Sequence, residues 1–191
     1  MHLIIGTDIW GRTPHVEAMA ESFADVAKTV TIVDPYAGED LNFSDEETAF
    51  SRFIETGGHA RYAQCVADVV AAAEEPVCLL GFSAGAGAVW SAVNSHDSGQ
   101  ICCAMGFYGA SIRTMMDVEP VVPVDLIFSD NEKHFDVEAV ARDLQDKANV
   151  QCYIAPFVHG FMNPAYAHFD TEVYLFWVDW IKEQLLEHCA Q

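Results

Sequence analysis

Residues Gly81-Phe82-Ser83-Ala84-Gly85 decide how this chain is interpreted. The pattern Gly-x-Ser-x-Gly follows an apolar run at 76–80 and precedes a helix-like stretch at 86–93. A strand that turns this tightly into a helix forces the serine into a strained backbone conformation. Glycines flank the serine because a Cβ at either place would clash with neighbouring backbone. We therefore expect Ser83 to project from the edge of a sheet as a nucleophile, facing the positive end of the following helix.

The rest of the chain alternates between strand-like apolar runs and segments with helical spacing. Strands are expected at residues 2–7, 30–33, 76–80, 101–107, 121–128 and 150–155. Further helices are expected from Pro14, over about 58–73 and over about 137–148. Another is expected after a capping box, with Ser44 as the cap and Glu47 three residues later. A final helix is expected from Pro164 onward, with Phe176 among the aromatic residues on its inner face. This alternation predicts an α/β fold, with a mostly parallel sheet flanked by helices on both faces. Because no repeat or linker interrupts the 191 residues, we expect a single domain over 1–191.

The charge balance of the chain argues against polyanionic binding partners. The chain has 29 acidic and 9 basic residues, a formal charge of −20, so nucleic acid and anionic membranes are not expected to bind. Two interpretations of the acidity stay open, a solvated surface that maintains solubility or adaptation to a saline habitat. The six cysteines lack Cys-x-x-Cys spacing and are interpreted as small buried apolar residues of a reducing compartment. Without a secretory leader or an apolar run long enough to span a bilayer, we expect a cytoplasmic protein.

Three residues in the order Ser83, Asp130, His159 form a candidate catalytic triad. A serine hydroxyl needs a base such as imidazole, and the imidazole needs a carboxylate to fix its tautomer. Each of the three follows a predicted strand, and the carboxyl ends of parallel strands meet at one edge of a sheet. Asp130 is preferred as the acid over its near rival Glu132, and over Asp125, which lies inside a predicted strand.

Two backbone N–H groups are expected to bind the oxyanion of an acyl-transfer intermediate. One belongs to Ala84, the residue after the nucleophile, and the other to Ile9, in the loop after the first strand. No metal or organic cofactor is expected for this chemistry. The substrate pocket is expected to be apolar, with the following residues near its walls: Trp10, Phe82, Tyr108 and Phe161.

Over nearly its whole length the chain resembles the dienelactone hydrolase family of α/β-hydrolases. Asp8-Ile9-Trp10-Gly11 is similar to that family's Glu-Ile-Phe-Gly loop, and Val33-Asp34-Pro35-Tyr36 to its Pro-Asp-Leu-Tyr turn. Four further segments resemble motifs of that family in the same order along the sequence. They are the elbow around Ser83, the pair Tyr108-Gly109, the acid segment at Asp130 and the base segment His159-Gly160-Phe161. The resemblance implies an α/β-hydrolase fold. We expect a smaller sheet than in larger α/β-hydrolases, because the residues before Ile4 are too few to form their extra leading strands.

The chain also departs from that family. The founding enzymes use a cysteine nucleophile, whereas this chain has Ser83, which implies ordinary base assistance by His159. Asp8 stands in place of the family's glutamate, one methylene shorter, and is expected to orient the site or contact the substrate. The segment 160–164 lacks the arginines that hold a substrate carboxylate, which leaves Arg12 and Arg61 as candidates for binding an anionic substrate.

These observations predict a serine hydrolase that cleaves a small-molecule ester or lactone through an acyl-enzyme. Two alternatives stay open. A thioesterase or peptidase would use the same triad on another acyl group, and a non-catalytic ligand-binding protein would keep the fold without the chemistry. The natural substrate and the oligomeric state are left undetermined.

Overall fold

The computed structural model describes residues 1–39, 41–93, 100–132 and 135–189. Strands and helices alternate through these residues, which confirms the predicted α/β class. In chain order the elements are β1 (His2–Gly6), α1 (Pro14–Ser22), β2 (Thr29–Val33), α2 (Glu46–Glu55), α3 (Gly58–Ala72), β3 (Val77–Phe82), α4 (Ala84–Ala92), β4 (Ile101–Phe107), a 3₁₀ helix (Ala110–Thr114), β5 (Val124–Asn131), α5 (Val137–Gln145), β6 (Val150–Val158) and α6 (Thr171–Cys189).

The strands form one sheet in the order β2-β1-β3-β4-β5-β6, and every neighbouring pair is parallel. The prediction of a mostly parallel sheet is therefore confirmed. Strand β3 lies inside the sheet between β1 and β4, and all six of its residues are buried. Because the strands share one direction, the loops that follow them gather at the same edge, where open α/β sheets bind ligands.

Helices cover both faces of the sheet, as expected. Alternate strand residues point to opposite faces, so Leu79 of β3 packs with the layer of α2 to α5. Its neighbour Leu80 packs with the layer of α1 and α6, where Phe23 and Ile181 are fully buried. The two apolar layers hold the sheet rigid beneath the loops at its carboxyl edge.

Several predicted boundaries are wrong. Strand β5 spans Val124–Asn131 rather than 121–128. Asp45, and not Ser44, caps α2, because its carboxylate accepts the Thr48 N–H at 2.8 Å. Helix α6 begins at Thr171 instead of Pro164, since the carboxylate of Asp170 accepts the N–H groups of the first turn. Phe176, predicted to face inward on this helix, is 62% exposed.

Two further expectations concern cysteines and membranes. The five cysteines whose side chains are described form no disulfide; Cys78 and Cys103 are buried and the other three are half-buried. Within the described ranges, no helix combines the length and the apolar character needed to cross a bilayer.

Candidate active site

Ser83 occupies the sharp turn between β3 and α4. Its φ of 51° and ψ of −111° lie in a region that L-residues with a side chain rarely adopt. The turn is held by the Ser83 N–H, which donates to the Phe107 carbonyl of β4 at 2.9 Å. The strained backbone expected of the nucleophile position is therefore present.

The glycines around Ser83 are required by close backbone approach. A Cβ on Gly85 would lie 2.2 Å from the carbonyl oxygen of Gly6 in β1. A Cβ on Gly81 would lie 2.5 Å from the carbonyl oxygen of Gly85. Both neighbours are backbone atoms that cannot rotate away, so the steric reason predicted for these glycines is confirmed.

The Ser83 hydroxyl and the imidazole of His159 are in hydrogen-bond contact, with Oγ 2.9 Å from Nε2. His159 follows the end of β6, and its ring packs against the ring of buried Tyr108 with centroids 5.0 Å apart. His168 Nε2–H donates to the His159 carbonyl at 2.9 Å, which fixes the backbone that carries the base. The structure thus brings together the two residues that sequence reasoning paired across 76 positions.

The carboxylate that contacts His159 is that of Glu132, which corrects the prediction of Asp130. Glu132 Oε1 lies 2.8 Å from His159 Nδ1, and its side chain is only 8% exposed, whereas Asp130 is exposed to solvent. A carboxylate only accepts hydrogen bonds, so it selects the tautomer with the proton on Nδ1. Nε2 is then left as an acceptor for the Ser83 hydroxyl, as base assistance requires.

The pairing of β5 with β6 sets Glu132 level with His159. Ser129 pairs with Ala155 and Asn131 pairs with Val158, so β6 carries one residue more than β5 over this interval. Pro156, which has no N–H to donate to a neighbouring strand, lies within the extra length. Glu132 and His159 directly follow the pair of Asn131 with Val158, whereas Asp130 lies one residue before that pair, inside β5.

The two predicted oxyanion donors are the N–H of Ala84, which follows Ser83 in sequence, and the N–H of Ile9, which lies in the loop after β1. Ala84 is the first residue of α4, so its N–H has no carbonyl one turn earlier within the helix. The Asp8 carbonyl accepts the Thr7 hydroxyl at 2.9 Å and the Gly11 N–H at 3.2 Å, and the Tyr36 hydroxyl donates to the Ile9 carbonyl at 2.5 Å. These bonds fix both peptide planes of Ile9, whose N–H points opposite to the Asp8 carbonyl. The oxyanion role of both groups stays a prediction.

Asp8 is buried and both of its carboxylate oxygens accept hydrogen bonds from the protein, which argues against the expected substrate contact. Burial raises the pKa of this carboxyl, and hydrogen bonds from Asn163 and from the Trp10 N–H partly oppose that shift. The Trp10 N–H reaches Oδ1 at 2.9 Å and Asn163 Nδ2 reaches Oδ2 at 2.6 Å, so both oxygens are occupied. Sequence reasoning missed Asn163, although the Asn163-Pro164 dipeptide is a turn signal close after His159.

The predicted apolar walls are only partly supported. Phe82 and Phe161 are almost fully buried in the layer of α1 and α6, together with Phe107. Tyr108 is also buried and supports the ring of His159. Trp10 is half-buried, with its ring edge-on to Tyr166 at 6.1 Å. Of the proposed walls, Trp10 alone keeps accessible surface at the rim.

The arginines predicted for an anionic substrate have other surroundings. Arg12 forms an exposed ion pair with Glu17 at 2.8 Å. Arg61 is exposed on α3, where its stem lies against Gly57. Neither placement supports a role in binding a substrate carboxylate.

Two open grooves lie away from Ser83. One, of about 340 Å³, includes Phe43 and Arg52 in its lining, and the other, of about 440 Å³, lies between Ala63 and Ser91. Across the part of the chain that the structure describes, no three His, Cys, Asp or Glu side chains are grouped as metal ligands. The candidate active site is therefore the group of residues in contact around Ser83, which includes His159 and Glu132.

Comparison with known proteins identifies the fold of this chain. No family model matches the sequence. The uncharacterized protein YczH of Bacillus subtilis is 26% identical over 178 residues, which cover 90% of this chain and 86% of that protein. A dienelactone hydrolase candidate from Klebsiella pneumoniae superposes with a TM-score of 0.73 at 18% identity, over 100% of this chain and 86% of that one. A dienelactone hydrolase-like promiscuous phosphotriesterase from metagenomic libraries gives 0.69 at 15% identity, over 97% and 85%. The chain has the α/β-hydrolase fold, as predicted.

Proposed function

We propose that this protein is a serine hydrolase of the dienelactone hydrolase type that cleaves a small carboxylic ester or lactone. The observation that carries the proposal is the continuous chain of contacts from Ser83 Oγ to His159 Nε2 and from His159 Nδ1 to Glu132. These contacts begin at Ser83 in its strained turn, and together they form the arrangement of an activated nucleophile. The solved structures similar to this chain include proteins named as hydrolases of this type, which supports the same chemistry.

The reaction begins when Ser83 Oγ attacks the substrate carbonyl carbon and His159 Nε2 takes the hydroxyl proton. Glu132 stabilises the resulting imidazolium through Nδ1. The negative charge on the former carbonyl oxygen is bound by the N–H groups of Ala84 and Ile9. Collapse of this intermediate breaks the bond to the alcohol oxygen, which receives the proton from Nε2, and leaves an ester on Ser83. Water, deprotonated by His159, then attacks that ester. The bond between the acyl carbon and Ser83 Oγ breaks, Nε2 returns its proton to Oγ, and the carboxylic acid is released.

The test compares the wild-type protein with Ser83→Ala on p-nitrophenyl acetate. We expect the substitution to lower kcat by roughly 10³-fold or more, because the attacking oxygen is removed. A fluorophosphonate probe should label the wild-type protein at Ser83 and should not label the variant. Thermal unfolding of both proteins serves as the control for folding.

Two results would separate the alternatives. A folded wild-type protein that neither hydrolyses the ester nor reacts with the probe would be a ligand-binding protein and would end the proposal. A matched set of acetate ester, thioester and anilide tests the acyl group, and faster turnover of the thioester or anilide would replace the ester assignment.

A further inference from the structure

Two side chains from opposite ends of the chain meet in the interior of the protein. Asn163 Nδ2 donates to Asp8 Oδ2 at 2.6 Å, across 155 positions of sequence. Asp8 is 5% exposed and Asn163 is 6% exposed, so water does not compete for this bond. Both are among the few polar residues in the described part of the chain that are buried.

Each partner also organises its own loop. The second oxygen of Asp8 accepts the Trp10 N–H at 2.9 Å, within the loop that carries Ile9. Asn163 Oδ1 accepts the Ala165 N–H at 2.8 Å, and the Asn163 N–H donates to Gly160 at 2.8 Å, directly after His159. The Asp8–Asn163 bond therefore joins the loop of a predicted oxyanion donor to the loop of the base.

We propose that the Asp8–Asn163 bond is a positioning device that keeps His159 and the Ile9 N–H in register over Ser83. The inference rests on the proposed function and assigns Asn163 a part in it. The base and the oxyanion donor must serve the same reacting carbon, and an error of about 1 Å costs roughly 10²-fold in rate. Neither Asp8 nor Asn163 touches substrate; each acts through the loop that it holds.

A competing account gives the role to the charge of Asp8 alone. Asp8 interacts electrostatically with His159, and Glu46 adds a second negative charge nearby. On that account the hydrogen bond is incidental, and a negative charge at position 8 is what stabilises the imidazolium. The two accounts make opposite predictions for a reciprocal exchange of the two side chains.

The experiment uses Asp8→Asn, Asn163→Asp and the double variant. In Asp8→Asn two amide N–H₂ groups face each other, or one amide turns and loses an existing bond. In Asn163→Asp two carboxylates face each other in a buried site. The double variant restores every bond, because the new amide at position 8 accepts from Trp10 and donates to the new carboxylate at 163, which still accepts from Ala165. Asp68→Asn, which alters an exposed carboxylate bonded to Gln64 at 2.7 Å, is the matched control.

We expect each single variant to lower kcat by roughly 10²-fold with little change in KM, and the double variant to recover to within about tenfold of wild type. Activities are compared well below the thermal midpoint of each variant. A double variant that folds but stays as slow as the single variants would overturn the positioning role, as would single variants with wild-type kcat. If a single variant does not fold, the folded double variant alone decides: a kcat within about tenfold of wild type supports the inference, and a lower kcat contradicts it. An inactive wild-type protein that does not react with the fluorophosphonate would instead refute the proposed function.

Discussion

Replacing Glu132 by glutamine tests the identity of the acid most sharply. The change keeps the shape of the side chain and removes its charge, 2.8 Å from His159 Nδ1. When His159 becomes an imidazolium, unit charges at that separation attract by about 6 kcal/mol at an effective dielectric constant of about 20. His159 is 26% exposed and Glu132 8% exposed, so solvent screening reduces the attraction that is lost to about 4 kcal/mol.

Each 1.36 kcal/mol changes a rate tenfold, so Glu132→Gln should lower kcat by about 10³-fold. The assay is the steady-state hydrolysis of p-nitrophenyl acetate at the pH of maximal wild-type activity. Asp130→Asn provides the matched control, because it removes the charge of the predicted but exposed acid two residues away. That control should stay within about threefold of wild type.

The reverse result would refute the reasoning. If Asp130→Asn lost activity and Glu132→Gln kept it within tenfold, the carboxylate that serves His159 in the working protein would be Asp130. The register of β5 against β6 would then have to differ from that described.

Two further predictions concern stability. Gly85→Ala should lower the free energy of unfolding by about 3 kcal/mol or more, because its Cβ would lie 2.2 Å from the Gly6 carbonyl oxygen; an unchanged urea midpoint would contradict this. Burial lowers the pKa of His15, His59 and His2 below 6.5, so the unfolded chain binds more protons and the free energy of unfolding should fall as the pH drops below about 6.5. His15→Gln keeps a donor for the Met162 carbonyl, which lies 2.8 Å from His15 Nε2, and removes one titrating imidazole. The free energy of unfolding of this variant should therefore depend less steeply on pH. An identical slope in urea titrations at several pH values would exclude His15 as a contributor.

Features that depend on a few adjacent residues could be read from the sequence. The elbow is one of them, because the close approach of α4 to β1 and β3 leaves no room for a Cβ at Gly81 or Gly85. The alternation of strands and helices is another, because apolar spacing records which side of each element is buried. His159 was identifiable because it directly follows the last strand.

Features that depend on how distant segments align could not be read in this way. Helical spacing placed Phe176 on an apolar stripe, but the packing of α6 on the sheet left it 62% exposed. Phe82 and Phe161 were suitable in type for a pocket wall, yet the layer of α1 and α6 encloses them. Asn163 carried only a turn signal, and its contact with Asp8 exists because the loops after β1 and β6 meet at one edge of the sheet.

The acid shows the division most clearly. Its chemical type and its approximate place after β5 followed from the sequence, which offered both Asp130 and Glu132. The choice between them came from the pairing of Asn131 with Val158, which sets the next residues, Glu132 and His159, side by side. Local sterics act within a few bonds and leave a mark in the local sequence. Strand register is a property of two segments paired in space, so the carboxylate that lies beside His159 is decided only when β5 and β6 pair.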